Sequence, residues 1–328
     1  MVQTPLSWLA GRYTWGPRSV RMAAVASVVA AIGIIVTGGV VRVTGSGLGC
    51  PEWPACSGNS LAPTAEMGLH GAIEFGNRLL TGVLCAVVGW LIVAARLQRE
   101  PSRPVLRGAW AQFWVVVLNA VVGGITVWMR LSPYIVAAHF LAATLLLAAA
   151  VVTWERLREA DHDVSAPTVP PRRCAVLARA LLVSTALLLV VGTSVTGSGP
   201  HAGDSSEVDR MPFDWVGATI VHGVLAVVCL VLGGLLFTVL PGGSRARRRT
   251  GVFLAVFLAQ GLVGLFQALT GLPAVAVILH LLGSALVWAG ALRVSLAVGR
   301  GTTGAPAAAP PVAQVPAPLA RSTNSADT

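Results

Sequence analysis

The sequence predicts an all-α integral membrane protein, with eight transmembrane helices arranged as two pseudo-symmetric four-helix bundles. Three observations lead to this fold class: an apolar composition, eight long apolar runs and an internal repeat. Hydrophobic residues make up 55% of the 328 residues and charged residues only 11%, and the mean hydropathy is +0.76. Because the average soluble domain has roughly 25% charged residues, this composition excludes a soluble globular domain.

Eight apolar runs have lengths close to the roughly 20 residues that cross the hydrocarbon core of a bilayer as a helix. They lie at 21–41, 67–95, 108–129, 133–154, 175–196, 214–240, 250–270 and 272–298. The first run is too long for the apolar part of a signal peptide, and it leads into a glycine-rich motif without a clean cleavage site. We therefore expect the first run to be a retained helix.

The basic residues, all of which are arginine, predict the orientation of the chain. Of the 23 arginines, 19 lie in the N-terminal segment, in alternate loops and in the C-terminal part. The remaining loops and the second run hold only Arg42, Arg78, Arg130 and Arg210. Because arginine accumulates on the cytoplasmic side of a cell membrane, we expect both termini in the cytoplasm and the loops at 42–66, 130–133 and 197–213 outside. The net charge of +10 then reflects membrane topology in a lipid bilayer, with no nucleic-acid partner.

An internal repeat divides the chain into two halves. The tetrapeptide TGSG occurs at 44–47 and again at 196–199, an offset of 152 residues, and His70-Gly71 and His222-Gly223 share that offset. Each half contains an even number of helices, so both halves enter the membrane from the same side. We expect an axis along the membrane normal to relate them, unlike the inverted repeats of many transporters.

The repeat and the polar segments together predict five regions. They are a cytoplasmic N-terminus at 1–20, an N-terminal bundle at 21–155, a cytoplasmic linker at 156–174, a C-terminal bundle at 175–298 and a cytoplasmic tail at 299–328. The stretch at 161–171 and the Ala/Pro-rich tail have too little apolar surface to fold alone, so we expect both to be disordered.

Four of the six histidines lie in the even-numbered apolar runs, near the outer end and at one expected depth: His70, His139, His222 and His280. One such histidine alone would be as consistent with a packing role. Four at matched depth indicate function, because ionisable groups in hydrocarbon are costly. Facing imidazoles on two helices of a bundle are typical axial ligands of haem iron, whereas zinc prefers a tighter cluster with Cys or carboxylate. We expect one haem pocket per half, from His70 with His139 and from His222 with His280.

The segment GVVRVTGSGLGCPEWPAC at 39–56 resembles the signature of the haem A synthase family. The resemblance runs from about residue 21 to 298, through GGITV at 123–127 and TGSGPHAGD at 196–204, and is to an actinobacterial-like variant with one outer-loop cysteine pair. It implies oxidation of the C8 methyl of haem O to a formyl group by successive hydroxylation, to make haem A for a terminal oxidase. It also implies haem b in the C-terminal half, the substrate haem in the N-terminal half, and haem O synthase (protohaem farnesyltransferase) as partner.

The two cysteines of the first outer loop, Cys50 and Cys56, lie where disulfides survive. Two free thiols are the alternative, but the resemblance favours a disulfide, with a thiol–disulfide oxidoreductase as a further partner. The other three, Cys85, Cys174 and Cys229, have no evident partner and are expected to be packing residues.

The second apolar run departs from the family pattern. Where the family has Glu-x-x-His-Arg, this chain has EFGNR at 74–78, which puts Asn77 at the expected ligand position. Asparagine is a poor haem ligand, and His70 lies one turn before Glu74 on the same helix face. We therefore assign His70 as the ligand of the N-terminal half, with Asn77 as the alternative.

Several other polar residues are candidates for the site. Glu74 forms either an i,i+4 ion pair with Arg78 or a catalytic carboxylate beside the substrate methyl, and both can hold together. Arg42 and Arg78 are predicted to bind the cofactor. Arg42 and Arg210 lie at outer helix ends, where they either pair with haem propionates or snorkel to the interface.

Two histidines lie in loops. His201 belongs to the TGSGPHAGD run and is expected near the haem edge, whereas His162 lies among acidic residues of the linker and is expected to be solvated. Neither is predicted to be an iron ligand.

The predicted function is therefore a membrane oxidoreductase that converts haem O to haem A. Two other functions use the same histidines. A bis-histidine b-type electron-transfer cytochrome needs neither Glu74 nor the outer cysteine pair, and a haem transporter or chaperone needs the binding sites without the chemistry.

Overall fold

The computed structural model describes residues 5–58, 60–160, 172–201, 203–204 and 208–299. Within these ranges the chain forms nine α-helices, and eight of them are long and apolar enough to cross a membrane. Isolated β-bridges are the only extended pairing among the described residues. The all-helical membrane fold predicted from the sequence is confirmed, and the chain is a multi-pass membrane protein.

A short helix and a 3-10 turn accompany the eight membrane helices. The short helix is α1 (Pro5–Arg12), and the turn at Ala65–Met67 leads into the third helix. The membrane helices are α2 (Pro17–Val43), α3 (Gly68–Arg96), α4 (Arg103–Trp128), α5 (Pro133–Ala160), α6 (Arg172–Ser198), α7 (Trp215–Val239), α8 (Arg245–Leu269) and α9 (Ala274–Gly299).

Several helices begin about one turn before the apolar runs that predicted them. The α2 and α4 helices begin at Pro17 and Arg103 and have proline in the first turn, where its missing N–H costs no hydrogen bond. The α8 helix begins at Arg245, after Ser244, whose hydroxyl accepts from the Arg247 N–H. Arginine fits these first turns because its apolar stem packs on the helix while its charge reaches water.

The predicted region boundaries shift for the same reason. The predicted N-terminus at 1–20 contains α1 and the start of α2, and the predicted linker at 156–174 contains the end of α5 and the start of α6. His162 and the residues at 161–171 and 300–328 lie outside the described residues.

The helices pack in the same order in both halves. In the N-terminal half α2 and α4 each pack against both α3 and α5, and in the C-terminal half α6 and α8 each pack against both α7 and α9. Each half is therefore a closed ring of four helices, as a repeat requires. The symmetry axis along the membrane normal stays a prediction. We call the end with the loops at 44–67, 129–132, 199–214 and 270–273 the outer end, after its predicted orientation.

A buried carboxylate joins the two halves near the opposite end. Glu155 of α5 is fully buried, and its carboxylate lies 2.5 Å from Arg249 Nη2 of α8 and 2.9 Å from Arg293 Nε of α9. Arg158 and Arg245 lie within 3.8 Å of the same carboxylate. Because a buried charge is tolerated only when it is paired, this cluster restricts how the two bundles meet.

Candidate functional site

Three histidines share one local environment: His139 of α5, His222 of α7 and His280 of α9. Each imidazole packs against a glycine of the preceding helix, and these glycines are Gly123, Gly192 and Gly264. A Cβ atom added at any of the three glycines would lie 3.0–3.2 Å from the ring Cε1. The absence of a side chain there allows each ring to lie against the backbone of its neighbouring helix.

The ring nitrogens are oriented alike in His222 and His280, whereas both Nδ1 and Nε2 of His139 lie within 3.7 Å of the Cβ position added at Gly123. The Nδ1 atoms of His139, His222 and His280 are buried without a hydrogen-bond partner. For His222 and His280, Cε1 and Nδ1 face the glycine and Nε2 lies more than 4 Å from the added Cβ position. Metal-binding imidazoles use one nitrogen and turn the other toward the protein, so Nε2 is the nitrogen available to a ligand.

The His222 and His280 rings face each other across the C-terminal bundle. Their centroids lie 6.4 Å apart, and their planes make an angle of 57°. If one metal atom binds a nitrogen of each ring at about 2.0–2.1 Å, the two bonds and the two nitrogen-to-centroid distances add up to roughly 6 Å between the ring centroids. The described residues hold no cluster of three or more His, Cys, Asp or Glu side chains that could bind a metal. The geometry suits an atom with two axial imidazole ligands, such as haem iron.

His70 lies in a different environment from the other three histidines. It is the third residue of α3, near the outer end, whereas the others are the seventh or eighth residues of their helices. Its Nδ1 lies 2.9 Å from Ser46 Oγ in the first outer loop, and its side chain is exposed. His70 is therefore nearer its helix start than the other three, contrary to the equal depth that we expected.

Asn77 contacts α2 close to the position that corresponds to the His222 contact on α6. Its Oδ1 lies 2.8 Å from Thr37 Oγ1 of α2. His222 contacts Gly192 of α6, and the 152-residue repeat makes Val40 the α2 counterpart of Gly192. Thr37 and Val40 lie one turn apart on α2, so Asn77 and His222 contact corresponding stretches of the repeated helices.

The repeat offset that linked His70 to His222 stays a prediction, and the contact of Asn77 with α2 favours a different alignment of α3 with α7. The loop between α2 and α3 has 24 residues and the loop between α6 and α7 has 16, so the offset that aligns α2 with α6 need not carry over to α3 and α7. The family pattern favours the same alignment, because Asn77 is the fourth residue of EFGNR, at the family's histidine position.

Glu74 and Arg78 form the ion pair that their spacing predicted. Arg78 Nη2 lies 2.6 Å from Glu74 Oε1, and only 6% of Glu74 is exposed. The other carboxylate oxygen, Oε2, accepts a hydrogen bond of 2.6 Å from the Cys50 N–H. The carboxylate therefore contacts both its own helix and the first outer loop.

Arg78 uses all of its donors within the protein. Its Nε and Nη2 donate to Glu74, Nη2 also donates to the Cys50 carbonyl, and Nη1 donates to the carbonyls of Glu52 and Ala55. A guanidinium has five N–H donors, so none is left for a haem propionate. The structure gives Arg78, which we predicted to bind the cofactor, the different task of holding the outer loop on α3.

The five cysteines follow the sequence prediction except for Cys85, which was expected to be a packing residue and is exposed. Cys50 and Cys56 form a disulfide and are buried, which confirms the predicted bond. Cys85 is free and exposed, and Cys174 and Cys229 are free and buried.

The disulfide loop also contacts α4. The Trp53 ring lies on Gly124, where an added Cβ would be 2.8 Å away, and it meets Trp128 edge-on with centroids 5.6 Å apart. Gly124 adjoins Gly123, the glycine against which His139 packs. The loop therefore bridges α3 and α4 over the outer end of the N-terminal bundle, close to the His139 environment.

Three polar residues near the outer end, Arg42, Arg210 and His201, differ in whether they keep a hydrogen-bond donor without a protein partner. Arg42 Nη2 donates to the Thr196 carbonyl, 2.8 Å away, while its Nε is buried without a partner. Arg210 uses Nη1 and Nη2 on the carbonyls of Gly199 and Pro200. His201 Nε2 lies 2.9 Å from the Leu272 carbonyl oxygen. Of these three, Arg42 is the one with a buried donor available to an anionic group.

Comparison with known proteins identifies the family. The family model described as cytochrome oxidase assembly protein, COX15-CtaA, matches residues 21–292. A Heme A synthase of Lysinibacillus sphaericus (strain C3-41) is 35% identical over 153 residues, which cover 44% of this chain and 49% of the relative. A Heme A synthase of Geobacillus thermodenitrificans is 34% identical over 111 residues, 32% of each chain. The aligned segments thus span about a third to a half of these relatives. Because the family model covers most of the chain, the protein belongs to the COX15-CtaA family of cytochrome oxidase assembly proteins.

Proposed function

We propose that this protein is a haem A synthase, a membrane oxidoreductase that converts the C8 methyl of haem O to a formyl group by successive hydroxylation. The observation that carries the proposal is the facing pair His222 and His280, in a chain whose family relatives are named Heme A synthase. The product serves a terminal oxidase, in agreement with the family's description as cytochrome oxidase assembly proteins.

In this proposal the C-terminal bundle, at 175–298, binds haem b. The residues present fit that group: the two rings have the spacing of axial ligands, and their orphaned Nδ1 atoms face the protein while Nε2 is available. Bound haem supplies a redox-active iron and accepts or donates one electron at a time. The role of His222 and His280 is to hold it and to set the polarity around it.

The N-terminal bundle, at 21–155, binds the substrate haem in this proposal. His139 supplies one axial nitrogen, because its environment matches those of His222 and His280. The other axial position has two candidates, His70 from the sequence repeat and Asn77 from the spatial contacts. Arg42, with its buried free Nε at the outer end, is the residue placed to bind a propionate.

Glu74 is the proposed proton acceptor for methyl oxidation. It is a buried carboxylate on α3 whose position is held by Arg78 and by the Cys50 N–H. Oxidation of a methyl group releases protons as electrons are withdrawn, and a positioned carboxylate that accepts a proton contributes about 10²–10⁴-fold to a proton-transfer step. The ion pair and the catalytic role are compatible, because Arg78 holds the Glu74 carboxylate in one orientation.

The same proposal includes the membrane location, the orientation and the partners of the protein. The protein lies in the cell membrane with both termini cytoplasmic, since the arginine-rich ends of the helices lie on one side. Haem O synthase supplies the substrate, and a thiol–disulfide oxidoreductase exchanges with Cys50–Cys56 at the outer end. The loop position of this disulfide, over the N-terminal bundle, supports a role near the substrate haem.

Pigment analysis tests the proposal. The full chain is produced together with haem O synthase in an aerobic host that lacks haem A, and haems are extracted from the membranes and separated by chromatography. Haem A is the expected product, with haem b retained by the purified protein. Haem b with no haem O or A bound would indicate an electron-transfer cytochrome, and bound haem O that is never converted would indicate a transporter or chaperone.

A further inference from the structure

The two bundles present different side chains at one corresponding position. We propose that the N-terminal bundle gives its haem a single axial imidazole, from His139, and presents the Asn77 carboxamide at the other face, so that this iron has an open axial position. The C-terminal bundle closes both positions with His222 and His280. The inference rests on the proposed function only in requiring that the N-terminal bundle binds a haem.

Three histidines of the two bundles have equivalent surroundings. His139, His222 and His280 each pack Cε1 on a glycine of the preceding helix and each bury an unpartnered Nδ1. In the C-terminal bundle the two histidines of this kind face each other. The N-terminal bundle has one histidine of this kind, so one of its two ligand positions is taken by another residue.

Asn77 is that other residue because of what it touches. Its Oδ1 lies 2.8 Å from Thr37 Oγ1, and the Thr37 hydroxyl is itself 3.0 Å from the Gly33 carbonyl of α2. The carboxamide is therefore anchored on the stretch of α2 that corresponds to the His222 contact on α6. Imidazole nitrogen suits iron, whereas amide oxygen suits harder cations such as Mg²⁺ and Ca²⁺, so Asn77 leaves the iron uncoordinated on its side.

His70 does not fill the open position, for two reasons. It precedes Asn77 by seven residues on α3, which corresponds to about 10 Å along the helix axis at 1.5 Å per residue. Its Nδ1 also lies 2.9 Å from Ser46 Oγ. Ser46 is fully buried in the outer loop and forms an isolated β-bridge with Asp204. The imidazole is thus fixed at the outer rim, above the level of the other three rings.

An open axial position next to a carboxamide has a defined chemical consequence. A small neutral molecule can bind iron on that face, and an amide N–H can donate a hydrogen bond to it. The C-terminal haem, with both positions filled, excludes such a molecule. The two haems of one chain should therefore differ in spin state and in their response to carbon monoxide.

The test is a carbon monoxide titration of the purified full chain. Haemin is added until two haems are bound per chain, the protein is reduced with dithionite, and bound carbon monoxide is counted from the optical difference spectrum. We expect one carbon monoxide per chain in the wild type and in His70→Ala, and at least a tenfold loss of affinity in Asn77→His, which supplies the missing imidazole. Asn77→Ala is the matched control and should still bind one.

Three results would overturn the inference. They are a wild type that binds no carbon monoxide with both haems low-spin, a His70→Ala variant that gains a binding site absent from the wild type, and a chain that takes up only one haem. If Asn77→His fails to fold, the comparison of wild type with His70→Ala still decides between the two candidates. Because the titration uses no turnover, it is independent of whether haem A is formed, and failure of the proposed function appears only in the pigment analysis.

Discussion

Arg78 Nη2 lies 2.6 Å from Glu74 Oε1, and the same guanidinium donates to the Cys50 carbonyl at 3.0 Å. One arginine thus joins the buried carboxylate of α3 to the disulfide loop at the outer end. The Cys50 N–H completes the connection by donating to the other carboxylate oxygen. The outer loop, the ion pair and α3 form one structural unit, so a substitution in one of them should alter the stability of the other two.

Replacing Arg78 should make the disulfide easier to reduce. Arg78→Gln removes most of the hydrogen bonds that hold the loop carbonyls, and hydrogen bonds to a charged group contribute about 1.5–3 kcal/mol each. We expect Cys50–Cys56 to be reduced by dithiothreitol at least tenfold faster, as measured by alkylation and mass spectrometry. Arg130→Gln, at the outer turn between α4 and α5, is the control, and equal reduction rates in the two variants would contradict the assigned role.

Replacing Glu74 should separate haem binding from chemistry. Glu74→Gln keeps the size of the side chain and an oxygen acceptor for Arg78, but an amide cannot take up a proton. Haem b content should stay close to that of the wild type, while conversion of haem O should fall by about 10²–10⁴-fold. Pigment extraction and the haem absorbance of the purified variant check both parts. Wild-type conversion by Glu74→Gln would leave the ion pair as the whole role of Glu74.

The glycine against which His280 packs should be needed for haem binding. In Gly264→Ala the new methyl group would lie 3.0 Å from His280 Cε1 and displace the ring, so we expect weakened haem b binding and an altered low-spin spectrum. In Gly261→Ala, one turn earlier on α8, the new methyl group meets nothing within 4 Å, so haem b binding and the low-spin spectrum should stay unchanged. Identical spectra for the two variants would show that the ring position does not depend on this contact.

Neutralising Glu155 should destabilise the contact between the bundles. Glu155→Gln leaves Arg249, which is 7% exposed, without its buried partner, and breaking a buried pair costs about 3–5 kcal/mol. We expect a lower thermal midpoint in detergent, whereas Glu100→Gln, in the exposed loop between α3 and α4, should leave it unchanged. Equal midpoints would mean that the cluster contributes no net stability.

Much of the fold was predictable because membrane helices are specified by local composition. The eight spans and the Glu74–Arg78 spacing follow from short stretches of sequence, whereas the cysteine pairing was predicted from the family resemblance. The equivalence of His70 with His222 stays a prediction, because it depends on the lengths of two outer loops that sequence identity at the TGSG motifs does not constrain. The donation of three Arg78 N–H groups to loop carbonyls likewise depends on how the loop folds back onto α3, which no local pattern encodes.

The most direct measurement is an experimental structure of the full chain with haem bound, solved by electron cryomicroscopy in a lipid nanodisc. The account predicts one haem iron about 2 Å from Nε2 of both His222 and His280, the usual length of a metal–imidazole bond, and a second iron at that distance from His139. A haem located outside the two bundles, or an iron that contacts neither His222 nor His280, would contradict it.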